Sequence, residues 1–280
     1  MATEKQTITA YDGTVITFYP NSHRYQKAGE KGYLMSPSAI VGIIDKSRQL
    51  MKWMENLTRD YVQTNVSEGE EYSKTAICQI VDQALDQRNV KLKEGQDVGS
   101  MIHDFAEHYA YCQVMNDSIP NKDELMYEEN ELVRNGKLAF IDFIEQNNVK
   151  FINVELFVYS KYAVPGLEYI GRFDAIAEVN GVKYLIDWKS SKSVYSTQKY
   201  QLAGYDLALE EQIKDWKSKG FSTDHLEYDR LAVIHIDKNT GIPQFHEISE
   251  EDRKLCRDAF KACAVVKSIE KVMDKWEKPE

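Results

Sequence analysis

A mixed α/β domain behind a helical N-terminal portion is the fold class this sequence predicts, and three observations carry that expectation. From Pro37 to about residue 147, apolar residues recur mostly at spacings of three and four. At Val149 the character changes, and three short runs rich in β-branched and aromatic residues follow: Phe151 to Tyr159, Tyr169 to Val179 and Val182 to Trp188. Helical spacing then returns over 195–217, ahead of another apolar run at Leu231 to Ile236.

In chain order, residues 7–35 read as short strands and turns, because Ile8, Val15, Ile16, Phe18 and Tyr19 alternate with Thr, Gly and Asn. Ile40, Ile43, Ile44, Leu50, Trp53, Met54, Leu57 and Tyr61 then predict a helical stretch interrupted near Asp45–Arg48. Further helices are expected over 71–88, 96–114 and 122–147. After the strands and the 195–217 helix, Glu247 to Trp276 reads as an amphipathic helix with Leu255, Ala259, Ala262, Val266, Ile269, Met273 and Trp276 on one stripe. No repeat, low-complexity tract or linker interrupts the chain. The 280 residues are therefore expected to form one domain, with 1–95 as the helical portion with short strands and 96–280 as the core and C-terminal helix.

The composition is that of an ordinary globular protein. Neither a secretory signal nor an apolar run of about 18 residues is present, so no membrane association is expected and the location is read as cytoplasmic, or host cytoplasm if viral. Cys78, Cys112, Cys256 and Cys263 are scattered without a CxxC pair, which gives no zinc or redox motif and suggests reduced, mostly buried thiols. A net charge of −10 argues against coating nucleic acid by bulk electrostatics but leaves room for a local basic groove.

The chemistry is concentrated around one hairpin. Asn180-Gly181 is a strong signal for a two-residue turn, since both central positions need positive φ. Counting pairs outward from that turn sets Asp174 opposite Asp187, and Arg172 opposite Lys189. Facing residues on a sheet bring their Cβ atoms within about 4.5–5.5 Å, so two carboxylates there repel unless a divalent cation lies between them. Lys189, two residues past Asp187, shares its face. For an isolated Asp-x-Lys, alternating surface salt bridges are the ordinary explanation; the opposed second Asp narrows it. Two acids holding a metal beside a lysine suit phosphodiester hydrolysis, in which the ion polarises the phosphate and activates water while the ammonium offsets negative charge.

Gly171-Arg-Phe-Asp174, the hairpin, Leu185-Ile-Asp-Trp-Lys-Ser-Ser-Lys192 and Gln201-Leu-Ala-Gly-Tyr205 resemble, in order, the motifs of RecB-type exonucleases of the PD-(D/E)XK superfamily. Upstream, Gly99-Ser-Met-Ile-His103-Asp-Phe-Ala-Glu107 is similar to the helix that carries a metal-binding histidine in those proteins. His23-Arg-Tyr25, Ser36-Pro-Ser38 and Leu50-Met-Lys-Trp53 are similar to the opening of phage and organellar single-domain members.

The resemblance implies an αβββαβ core with a mixed sheet and a metal-dependent deoxyribonuclease, an exonuclease in preference to an endonuclease, serving DNA replication, recombination or repair of a phage or similar element. It implies His103, Asp174, Asp187 and the carbonyl of Trp188 as ligands of Mg²⁺ or Mn²⁺, with the imidazole favouring Mn²⁺, and Lys189 as the catalytic lysine. Arg172, Ser190, Ser191, Lys192, Gln201 and Tyr205 would face the nucleic acid. Glu155 is a weaker candidate for an acid that supports the ligands, and His108 and His235 have no assigned role. Some relatives bind an iron–sulfur cluster through four cysteines, which Cys256 and Cys263 do not reproduce, so no cluster is expected. Nothing resembles a Walker motif, so any helicase activity would come from a recombination or replication partner. The expected substrate is DNA, single-stranded or with a free end. Two alternatives stand beside it: an RNA endonuclease, since viral cap-snatching nucleases join the same core to a metal-binding histidine, and a non-catalytic nucleic-acid-binding protein on a nuclease-derived fold.

Overall fold

The computed structural model describes residues 5–276, which form a mixed α/β protein with seven helices and two sheets among them. The chain divides into two compact units, residues 45–101 and residues 1–44 with 102–280. The smaller unit consists of helix α2 (Ser47–Asn65) and the first part of helix α3 (Lys74–Met115), with Tyr61 donating to Gln83 at 3.4 Å. Residues 89–95, read from the sequence as a break, are helical. Lys91, Leu92, Lys93 and Glu94 are good helix formers, and the single Gly95 costs only about 1 kcal/mol against Ala.

The larger unit holds everything else, including the short helices α1 (Pro37–Val41) and α4 (Lys122–Leu125). Strands β1 (Gln6–Thr9), β2 (Val15–Tyr19), β3 (Arg24–Lys27) and β4 (Tyr33–Leu34) form an antiparallel meander. Ile16, Phe18 and Tyr25 cluster with Tyr159 and Ile170. The main sheet has the order β5 (Lys150–Val164), β6 (Leu167–Val179), β7 (Val182–Lys189), β8 (Arg230–Asp237) and β9 (Ile242–Ile248). Only β7 and β8 run parallel, joined by the crossover helix α6 (Ser196–Ser218) that such a pair requires. Strand β9 was not expected from the sequence. Pro243 argues against a central strand, yet at the sheet edge its missing N–H goes unused.

Strand β7 is buried over most of its length because helices cover both of its faces. Its alternation sends Leu185, Asp187 and Lys189 one way and Tyr184, Ile186 and Trp188 the other. Leu185 shares a core cluster with Leu202 of α6, while the Trp188 ring meets Phe140 of helix α5 (Glu131–Gln146) edge-on at 5.6 Å. The polar pair thus lies on the α6 side.

Helix α7 (Glu250–Trp276) begins three residues later than the sequence suggested, capped where Ser249 Oγ accepts from the Asp252 N–H at 3.1 Å. Its inward face also differs. Cys256, Phe260 and Ala264 are buried, whereas Leu255, Val266, Ile269 and Met273 are exposed; the side chain of Trp276 lies outside the described residues. The reason is electrostatic. Asp206 of α6 is fully buried, and its carboxylate takes Arg253 at 2.7 Å, Arg257 at 2.5 Å and the Tyr228 hydroxyl at 2.6 Å. Spaced four apart, the two arginines rotate α7 so that Phe260, rather than the more apolar stripe, meets α6. Gly204 makes the approach possible, since a Cβ there would sit 2.5 Å from the Phe260 ring.

Removing one partner of a buried ionic cluster leaves the others uncompensated. Asp206→Ala is therefore expected to lower unfolding stability by about 3–5 kcal/mol. Urea denaturation followed by circular dichroism checks this, and a loss under 1 kcal/mol would mean that Arg253 and Arg257 find solvent at little cost.

Candidate functional site

Asn180 and Gly181 both adopt positive φ, 50° and 86°, and β6 pairs with β7 in the expected register, from Val179↔Val182 out to Ala175↔Ile186. Asp174 and Asp187 occupy the next rung, where the recorded pairing stops. Further along that register Trp188 would exchange hydrogen bonds with Phe173. Instead the Trp188 N–H donates to Asp174 Oδ2 at 2.7 Å. A side-chain carboxylate has replaced the ladder acceptor, and the two strands part around the acids.

Four further groups converge there. His103 of α3 places Nε2 3.3 Å from Asp174 Oδ1 and 3.9 Å from Glu155 Oε1. Glu155 of β5 holds Arg172 of β6 at 2.5 Å through its other oxygen. The ligand-type atoms of His103, Glu155 and Asp174 all lie within 4.8 Å of one another, a second such group being His103, Asp104 and Glu107 one helical turn along. Lys189 Nζ forms an ion pair with Asp187 Oδ2 at 2.7 Å. Asp187 is wholly buried, and beyond Lys189 its oxygens have no partner; Glu155 Oε1 is buried without a donor and Trp188 Nε1 without an acceptor. Such atoms ordinarily find partners, so the carboxylate oxygens call for a cation or a donor and the indole N–H for an acceptor.

The charges interlock. Burial pushes the Asp187 carboxyl up to about 6, Lys189 opposing this and Asp174 adding to it. Burial, with Asp174 beside it, likewise pushes Glu155 up to about 8. For Asp174, burial is outweighed by Lys189, His103 and the Trp188 N–H, which hold its carboxyl below the usual range. His103 rises to about 9 because Asp174 and Glu155 overcome the effect of burial. Lys189 is raised above the ordinary lysine value by the same carboxylates, despite burial.

A cleft of about 260 Å³ opens onto His103, Glu155, Asp174 and Lys189, with Asp187 buried behind its lining; Phe18, Tyr25, Ser36, Arg172, Gln201 and Tyr205 wall it, and His23 also lines it. Gln201 Nε2 donates to the Tyr205 hydroxyl at 3.0 Å, four residues along one face of α6. Gly171 lets Tyr205 and Pro37 pack on β6, since a Cβ there would sit 2.5 Å from the Tyr205 ring. Of the residues expected to face nucleic acid, Arg172, Gln201 and Tyr205 line this cleft. Ser190, half-buried, follows Lys189. Ser191 is taken up by its own loop, its hydroxyl accepting from Gln198 at 3.0 Å, and Lys192 lies in a separate hollow.

Glu155 is the acid whose weight the sequence understates. It stands in the middle of β5 at φ 54°, a left-handed conformation that a non-glycine residue holds only when its surroundings impose it. An acidic residue in an apolar run was its only signal. The chain matches no family model and no curated protein.

In metal-free protein Asp187, Glu155 and His103 are all shifted upward, whereas the lowered Asp174 affects stability only in acid, below its ordinary value. Asp187 and Glu155, raised acids, contribute stability that fades as pH climbs past their unfolded values near 4 toward about 6 and about 8. The His103 contribution is complete below about 6.5 and is lost through about 9. Thermal melts in chelator should therefore show a falling Tm from pH 5 to pH 9. The slope should shrink in a Glu155→Gln/Asp187→Asn variant; an equal slope would remove these groups as its source.

Proposed function

We propose that this chain is a metal-dependent nuclease of the PD-(D/E)XK kind that hydrolyses DNA, with Lys189 as its catalytic lysine. The observation that carries this reading is the group of His103, Glu155 and Asp174, whose ligand-type atoms lie within 4.8 Å of one another, with the fully buried Asp187 carboxylate on the rung facing Asp174 and ion-paired to Lys189. The order α5, β5, β6, β7, α6, β8 also agrees with an αβββαβ core, to which β9 adds an edge.

The donor set fits Mg²⁺ or Mn²⁺, being carboxylate oxygens with one imidazole. Asp174, Asp187, Glu155 and His103 would hold the ion. The Trp188 carbonyl joins them because it points to the same strand edge as the N–H that reaches Asp174. When bound, the ion supplies Lewis-acid polarisation of the phosphate and a more acidic water.

The protein's own groups do the rest. Lys189, raised in pKa, stays an ammonium at neutral pH and offsets negative charge gathering on the phosphate rather than acting as a base. Glu155 fixes Arg172 at 2.5 Å, directing a second cation to the cleft wall. Phe18, Tyr25 and Tyr205 exclude water and offer rings to a base or sugar. His103 equally suits an RNA endonuclease on the same core, so substrate is the point to test. Cleavage of end-labelled single-stranded DNA with Mn²⁺, abolished by chelator, is expected; closed circular DNA should resist. Digestion of RNA alone would favour the second reading, and no digestion of any substrate would leave a binding protein.

Asp187→Asn should lower cleavage by about a thousandfold or more, some 4 kcal/mol of barrier, with metal-free stability unchanged or higher. Retention within tenfold would take Asp187 out of the centre. Lys189→Ala should slow turnover by about 10²–10³-fold, as for loss of one charge-stabilising donor, while Mn²⁺ binds as tightly or tighter by calorimetry because a neighbouring cation is gone. Marked loss of Mn²⁺ affinity would make Lys189 structural.

A further inference from the structure

Beside the end of β7 lies a second polar hollow of about 300 Å³, lined by Lys192, Lys199, His235, Asp237, Gln244 and His246 among others. It has a surplus of positive groups in a chain of net charge −10. Among the described residues neither Lys192 nor Lys199 forms an ion pair. The acid, Asp237, is occupied by its own turn, where it accepts from Asn239 at 3.0 Å and from Thr240 at 2.8 Å. Lys238 stands next to it and has its pKa lowered by burial.

His235 is the built element of this hollow. It is only 3% exposed, and its Nε2 donates to the Ser191 carbonyl at 2.6 Å, so Nε2 carries the proton. Nδ1 is buried without a partner. The His246 ring lies 6.2 Å away, its Nε2 held by Gln244 Oε1 at 3.3 Å, and its pKa is lowered by burial, His235 and Lys199. The loop between β7 and α6 is held in place, since Ser191 is gripped by His235 through its carbonyl and by Gln198 through its hydroxyl. The place in the fold is equally specific: His235 is the direct β8 partner of Lys189, at the carboxyl ends of the parallel pair in this sheet, where α/β proteins bind ligands.

We propose that this hollow is a second phosphate site, formed by Lys192, Lys199, His235 and His246, which holds a phosphate of the same nucleic-acid strand whose backbone enters the carboxylate cleft. Its assignment to that strand rests on the nuclease reading. Neighbouring strands stand about 4.8 Å apart, so the hollow is one strand spacing from Lys189, and a chain leaving the cleft across β7 meets it next. Two lysines would neutralise the phosphate, and the histidines would donate to its remaining oxygens only as imidazolium, the form that a bound anion favours. A short strand is then held at two points, which fixes the bond presented to Lys189.

The test uses the whole protein in chelator, so that nothing is cut, with a twelve-nucleotide single-stranded DNA and, separately, inorganic phosphate. Lys192→Ala/Lys199→Ala should weaken oligonucleotide binding by about tenfold at low salt and reduce the slope of log K against log salt by about 0.7, the value of one phosphate on a single strand. Lys214→Ala, elsewhere on α6, should do neither. His246 ring signals in NMR should shift with the oligonucleotide and titrate at higher pH. An unchanged salt slope, or His246 signals that ignore the oligonucleotide, overturns the proposal. So does a response to inorganic phosphate alone, which would make this a site for the free ion. Binding of this kind by a protein that cuts no substrate would instead sink the nuclease reading and leave the phosphate site standing.

Discussion

The larger unit is organised around a carboxylate that its sheet buries and does not satisfy. Asp187 sits on a central strand covered from both sides, where an ionised acid without hydrogen bonds is strongly disfavoured. Nothing in the sheet relieves it except the ion pair to Lys189. The neighbouring features follow from this strain. The β6–β7 ladder gives way at Trp188, Asp174 takes over a backbone donor, and Glu155 holds a left-handed conformation that turns one oxygen inward. Local cost at such a position is carried by the surrounding core.

That core is held by a different device. The Asp206, Arg253 and Arg257 cluster orients α7, and Gly204 and Phe260 then lock it against α6, the helix that carries Gln201 and Tyr205 to the cleft. Glu211 of α6 does comparable work at the far end of β5, accepting from the Ser160 hydroxyl at 2.8 Å and from the backbone of Lys161 and Ala163 at 2.9 and 3.0 Å, where the strand breaks register. One helix thus ties the smaller sheet's support, the cleft wall and the C-terminal helix together.

Much of this was legible in the sequence where a local rule governs it. Asn180-Gly181 announced the turn, and with the turn came the register and the rung on which Asp174 and Asp187 stand. What escaped depended on partners far along the chain. The inward face of α7 could not be read from its apolar stripe, because two arginines answer a buried acid some fifty residues upstream. Strand β9 was hidden by Pro243, harmless only because nothing pairs on that edge among the described residues. Glu155 gave no sign of its conformation, since a positive φ in mid-strand is imposed by tertiary surroundings. Lys192 carried the right chemistry for nucleic acid but a place apart from the cleft.

The hairpin that carries the two facing acids has a consequence for how this stretch of chain can change. Its turn is five recorded pairs away from them, yet their meeting depends on the parity of every residue between. Gain or loss of one residue within either strand, from Ala175 to Val179 or from Val182 to Ile186, would turn one carboxylate toward α5 and leave the other behind, whereas a change of side chain along the same stretches leaves parity intact. In the two strands between Asp174 and Asp187 the length of the chain is therefore held more tightly than its spelling, and descendants of this sequence should drift there by substitution and almost never by insertion or deletion, which the turn alone can absorb.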